Sequence, residues 1–161
     1  MKADYVIVGG GSAGCVLANR LSEDPGNQVL LIEAGGKDWN PLIHIPAGYM
    51  KLLDHPTLTW GFKADRNSGL NGREINYPRG RVLGGSSSIN GMIYIRSQPE
   101  DYDHWAQLGN RGWSSADVLP YFNKSEKWQG PDKAAHSKDG LLYTSPSRDQ
   151  PELCQAAIEA G

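Results

Sequence analysis

The sequence predicts an α/β chain that opens with a Rossmann-like βαβ dinucleotide-binding unit, and three observations carry the prediction. An apolar run, Tyr5-Val6-Ile7-Val8, leads directly into Gly9-Gly10-Gly11-Ser12-Ala13-Gly14, a G-x-G-x-x-G loop. A helix-like stretch from Cys15 to Ser22 follows that loop. A second apolar run, Gln28-Val29-Leu30-Leu31-Ile32, then ends on Glu33, nineteen residues beyond Gly14, where such a fold places the acid that accepts hydrogen bonds from ribose hydroxyls.

The first strand is expected near residues 4–8. Without a Cβ, Gly9 suits the tight strand-to-helix turn, Gly11 admits a pyrophosphate close to the backbone, and Gly14 lets helix and strand pack closely. The phosphates would rest on the helix N-terminus, where unpaired N–H groups and the positive end of the dipole converge. The helix is expected near 12–22 with Val16, Leu17 and Leu21 on one face, and Asp24-Pro25-Gly26-Asn27 forms the turn into a second strand near 28–33. An acid at Glu33 argues for an unphosphorylated ribose and leaves NAD and FAD both open.

Residues 35–80 are rich in Gly, Pro, Asn and Trp without sustained periodicity, a length that points to a functional loop ordered by a cofactor. Ser97-Gln98-Pro99-Glu100 has capping-box form, and Tyr102, Trp105 and Leu108 follow at near-helical spacing until Gly109. A further helix is expected from Ser114 to Lys124, bent at Pro120. The polar stretch Gln129–Asp139 reads as a hinge or surface excursion, residues 140–144 as a strand, and Pro151 to Ala160 as a helix. The expected division is a nucleotide-binding part over 1–139 and the start of a second domain over 140–161. Two parallel strands and one helix cannot cover both faces of a sheet, so more structure is expected around the opening unit.

Sixteen Lys and Arg against 18 Asp and Glu leave a formal charge of −2, which gives no basic footprint for nucleic acid. Glycine is in excess, 20 of 161 residues against a usual level of about 7%. The excess gathers in residues 9–14 and 80–91, as close backbone approach to a ligand requires. With a strand expected from Asp4 and no apolar run near the ~18–20 residues that cross a bilayer, the chain reads as cytoplasmic, with neither signal peptide nor transmembrane segment. Cys15 and Cys154 lack disulfide or metal-ligand patterning and are expected to be buried small hydrophobes. His44, His55, His104 and His136 are scattered, so no metal site is expected.

A second glycine loop, Gly80-Arg81-Val82-Leu83-Gly84-Gly85-Ser86-Ser87-Ser88-Ile89-Asn90-Gly91-Met92-Ile93-Tyr94, combines small residues with an asparagine amide and permits contact with a flat, bulky ligand. Together the two loops resemble the glucose-methanol-choline (GMC) oxidoreductases, FAD-dependent enzymes that oxidise alcohols. Glu33-Ala34-Gly35, Asn71-Gly72-Arg73, Asp101-Tyr102-Asp103-His104-Trp105 and Leu119-Pro120-Tyr121-Phe122 are similar to the family in the same order, so the likeness runs through essentially the whole chain. Ser97 departs from the Gly, Ala or Pro usual in the signature, while Arg96 before it is retained.

The resemblance implies that the chain is the N-terminal part of a two-domain GMC oxidoreductase with an FAD-binding βαβ fold. It implies that Gly9, Gly11, Ser12, Ala13 and Gly14 bind the pyrophosphate and that Glu33 and Ala34 bind the adenosine half. Val82, Gly84, Gly85, Ser86 and Ser87 would line the flavin side, with Asn90, Gly91, Met92 and Ile93 passing beside the isoalloxazine. Some relatives attach FAD through a histidine where Ile89 stands here, so FAD is expected to be held noncovalently. The catalytic His and its His or Asn partner are expected beyond Gly161, on a C-terminal remainder of the same enzyme, and a small primary alcohol is the expected substrate. Three other readings stay open: a GMC-type flavin-dependent lyase or decarboxylase, a noncatalytic FAD-binding module, and an NAD-linked dehydrogenase, although the last gives no reason for residues 80–94.

Overall fold

The structure is a computed structural model that describes residues 2–131, 135–147 and 151–160. Contacts divide the chain into two compact units, Met1–Ile93 and Tyr94–Gly161. The expected boundary at 139/140 lies within the second unit.

In the first unit, β1 (Tyr5–Val8), α1 (Ser12–Leu21) and β2 (Val29–Ile32) form the βαβ opening. The strands pair in parallel with Tyr5 opposite Val29 and Val8 opposite Ile32. The register is fixed from both ends: the Gln28 N–H donates to the Asp4 carboxylate at 2.9 Å, and the Gly9 N–H donates to the Ile32 carbonyl at 2.7 Å. α1 meets the strands through Gly14, the buried residue of the helix, whose missing Cβ would lie 3.4 Å from the Ile7 side chain.

That close seat has a consequence for the expected apolar face. Val16 and Leu17 are 59% and 51% exposed, because a helix that rests on glycine presents its larger side chains beside the contact. Cys15 and Cys154 are likewise exposed, contrary to the expectation of burial. Cys15 follows Gly14 directly, so its Cβ leaves the seat; the Sγ instead donates to the Gly10 carbonyl at 3.2 Å. Cys154 lies on a helix with no buried residue.

The core of this unit sits under the second glycine loop: Leu52, Leu58, Val82 and Ile89 are buried together, with Leu42 and Ile43 packed against them. Residues 35–80 contain more regular structure than the absence of periodicity suggests. Two one-turn helices, α2 (Pro41–His44) and α3 (Tyr49–Leu52), are followed by β3 (Lys63–Ala64) and β4 (Ile75–Asn76), an antiparallel pair. The pairing extends beyond the strands: Tyr77 N–H donates to Phe62 O, Trp60 N–H to Arg79 O and Arg81 N–H to Leu58 O, at 2.8, 3.0 and 2.7 Å. Residues 58–64 and 75–81 thus form one antiparallel ribbon.

In the second unit, α4 (Pro99–Gln107) begins one residue later than the expected cap: Gln98 is the N-cap, and its N–H donates to the Asp101 carboxylate at 3.2 Å. Pro99 explains the shift, since proline suits the first helical position and keeps the residue before it extended. α5 (Ser115–Ser125) carries Pro120 internally and is capped by Ser114, which exchanges hydrogen bonds with Asp117. The Ser115 N–H donates to Asp103 of α4 at 2.9 Å, and Tyr102 meets Phe122 edge to face at 5.7 Å.

The chain leaves α5 straight into β5 (Glu126–Trp128), a strand absent from the sequence expectation, which pairs in parallel with β6 (Leu142–Thr144). Part of the intervening polar stretch, residues 132–134, lies outside the described residues. α6 (Glu152–Ala160) follows. No helix among the described residues is long and apolar enough to cross a membrane.

Candidate functional site

The first glycine loop is built as its spacing predicts. Gly9 adopts φ +98°, the left-handed region that favours glycine, and so turns the chain out of β1. A Cβ on Gly14 would lie 1.9 Å from the Gly9 carbonyl oxygen, which no backbone here could accommodate without moving. Gly11 is the N-cap of α1 and supplies no side-chain oxygen, while the α1 first turn contains no acid. The N–H groups at this helix end are therefore free of an acidic side chain that would compete with an anion.

Glu33 joins the loop to the end of β2. Its Oε2 accepts the Gly10 N–H and its Oε1 accepts the Gly35 N–H, both at 2.7 Å. Each carboxylate oxygen retains a further lone pair for a ribose hydroxyl.

The second loop docks on the first. The Gly84 N–H donates to the Gly10 carbonyl at 2.7 Å, the Leu83 N–H donates to the Gly36 carbonyl at 2.8 Å, and the Ser12 and Ser87 hydroxyls are hydrogen-bonded to each other. The ideal Cβ of Gly85 would lie 2.9 Å from the Gly11 Cα, so the two loops approach backbone to backbone. The Ser86 hydroxyl accepts the Gly80 N–H at 3.1 Å. Val82 is fully buried in the core, which leaves only its backbone to face a ligand.

A cleft of about 520 Å³ opens between the loops, lined by Val8, Gly9, Gly11, Ile32, Glu33 and Ala34 on one side. The other side carries Trp60, Phe62, Arg79, Gly80, Gly85 and Ser86. The structure thus brings most of the two loops' expected residues to one place. Asn90, Gly91, Met92 and Ile93 continue the second loop outside this lining. There the Asn90 side chain accepts the Met92 N–H at 2.9 Å, Met92 has φ +57°, and Met92 and Ile93 are 55% and 82% exposed. Trp60, Phe62 and Arg79 were not among the expected residues. Their signal in the sequence is a pair of matching triplets, Trp60-Gly61-Phe62 and Arg79-Gly80-Arg81, which the ribbon sets against each other.

The second unit holds a different polar cluster. Glu126, fully buried, receives Arg96 at 2.7 Å, Thr144 Oγ1 at 2.8 Å and the His136 ring Nδ1 at 2.9 Å. Burial pushes this carboxyl up, but hydrogen bonds from Thr144, His136 and the Ser137 N–H, with the Arg96 charge, outweigh burial and hold it below the usual carboxylate range. No group of His, Cys, Asp and Glu among the described residues could hold a metal ion.

The cradle of paired glycine loops agrees with the comparison to known proteins, in which the GMC oxidoreductase family model matches residues 3–161. The chain belongs to the GMC oxidoreductase family. This GMC chain is 47% identical over all 161 of its residues to the oxygen-dependent choline dehydrogenase of Rhizobium etli, and equally identical to that of Brucella melitensis. It spans about 29% of the length of these curated relatives. Among solved structures, pyridoxine 4-oxidase from Mesorbium loti is similar at TM-score 0.89 and 40% identity, covering 99% of the GMC chain and 31% of its own. A formate oxidase of Aspergillus oryzae is similar at TM-score 0.83 and 28% identity, over 97% and 29% of the two chains.

Proposed function

We propose that this chain supplies the FAD cradle of an oxidoreductase acting on the CH–OH group of small primary alcohols. The observation that carries the reading is the cleft itself, in which two glycine loops meet backbone to backbone beside Glu33. Glycines leave room there for a flat cofactor and its diphosphate, a space that larger side chains would fill. The names of the relatives, choline dehydrogenase and pyridoxine 4-oxidase, support the alcohol as substrate class.

In this reading the N–H groups of Gly9, Gly11, Ser12, Ala13 and Gly14 hold the pyrophosphate, and Glu33 with Ala34 holds the adenosine half. Val82, Gly84, Gly85, Ser86 and Ser87 form the flavin side and exclude water from it. Asn90, Gly91, Met92 and Ile93 flank the isoalloxazine. When bound, the flavin supplies a hydride acceptor. Ile89, 2% exposed within the core, presents no nucleophile to it, which supports noncovalent retention. Removal of the alcohol proton falls to a His matched by the family beyond Gly161, so residues 1–161 by themselves are expected not to turn over. A cytoplasmic location accompanies this reading.

The test uses the full-length protein. Its absorption spectrum should show bound flavin, and anaerobic addition of alcohols, choline among them, should bleach the oxidised band. Absence of flavin overturns the reading. Flavin that stays oxidised with every alcohol replaces alcohol oxidation by lyase or decarboxylase chemistry on the same cradle.

A further inference from the structure

Trp60 and Arg79 face the glycine loop and Glu33 across the cleft, yet the signature motifs assign them no role. The antiparallel ribbon fixes their backbones, because the Trp60 N–H donates to the Arg79 carbonyl at 3.0 Å and Thr59 bridges Gly80. The Trp60 and Phe62 rings lie parallel within 3°, 5.9 Å between centroids, and remain 45% and 51% exposed. Two large aromatic side chains held open on a cleft wall offer a stacking surface.

Arg79 is the one cation among the described residues of the lining. Its guanidinium lies 3.8 Å from the Tyr77 ring centroid and donates to the Pro78 carbonyl at 2.8 Å, and no carboxylate among the described residues pairs with it. The opposite wall brings N–H dipoles from the glycine loop and the negative charge of Glu33. A diphosphate bound there has no other full positive charge within the lining to oppose its own.

We propose that Trp60 and Arg79 form the second wall of the dinucleotide site, Trp60 stacking on the adenine and Arg79 pairing with the diphosphate. The cleft contains Glu33 and Ala34 and none of Asn90 to Ile93, so the ring it encloses is the adenine end. This inference rests on the FAD reading above and names residues that the reading lacks.

The experiment titrates the full-length apoprotein with FAD and, separately, with ADP, which retains adenine and diphosphate and lacks the flavin. Trp60→Ala should weaken both ligands roughly tenfold or more, the scale of a lost base–aromatic stack, and Trp60→Phe should recover most of the loss. Arg79→Gln should weaken both and flatten the salt dependence of Kd, with partial recovery in Arg79→Lys. Melting of each apoprotein identifies variants that fold, and Trp60→Leu or Arg79→Met replaces any that does not. Unchanged Kd for FAD and ADP in folded variants overturns this inference alone. A wild-type protein that binds neither ligand overturns the FAD reading itself.

Discussion

The Gly10 N–H donates to Glu33 Oε2 at 2.7 Å, so the carboxylate that ends the second strand also braces the turn that ends the first. Glu33→Gln removes the charge and one of two carboxylate acceptors, while the Gly35 N–H also needs a partner. Hydrogen bonds to a charged group contribute about 1.5–3 kcal/mol, and the expected loss of stability is on the order of 1–2 kcal/mol because the site is only partly buried. Thermal denaturation of the full-length protein, with retained flavin measured by absorbance, checks both consequences.

Gly14→Ala should damage the fold itself. The added methyl would lie 1.9 Å from the Gly9 carbonyl oxygen, so α1 must move off the strands, at a cost of about 1–3 kcal/mol or more. Gly36→Ala is the control: its Cβ meets nothing within 4 Å and its φ is not positive, and the stability change should stay within about 0.5 kcal/mol. Equal melting temperatures for the two variants would contradict the close seat of α1.

Gly11→Val separates binding from folding. The nearest atom to a Cβ at Gly11 is the Gly85 Cα at 3.9 Å, so the branched side chain has room in the polypeptide but occupies the gap between the loops. The variant should lose FAD on gel filtration while its apoprotein melts within a few degrees of wild type. Retained flavin would remove Gly11 from the cradle.

Acid should weaken the second unit through Glu126. Its folded value lies below the ordinary 4.5, so the stability it contributes is complete above the unfolded value and is lost as pH falls through the lowered folded one. Glu126→Gln should abolish this part of the acid dependence and, by leaving the mostly buried Arg96 unpaired, destabilise at neutral pH by on the order of 3 kcal/mol. Denaturant titrations at neutral pH and near pH 4, on wild type and variant, provide the comparison.

The βαβ opening, the Glu33 position and the two capped helices were legible because each depends on neighbours in sequence: an apolar run, a glycine spacing, a Ser-to-Asp cap. What escaped depends on partners far along the chain. Two-residue strands such as Lys63–Ala64 carry no period, and Trp60 reaches the cleft only because residues 58–60 pair with 79–81. Glu126 reads as the polar end of a helix; nothing local announces that Arg96, His136 and Thr144 will enclose it. Cys15 was misjudged because burial was inferred from its residue type, whereas Gly14 beside it takes the contact.

The hydrogen bond between Ser12 and Ser87 joins residues 75 positions apart. During synthesis at about 5–20 residues per second, the first glycine loop is therefore made roughly 4–15 s before the segment that completes it. The strand, helix and acid that mark the site most plainly are the earliest parts to leave the ribosome, and for that interval they have only one side of a binding cleft. Cofactor capture in this chain waits on translation.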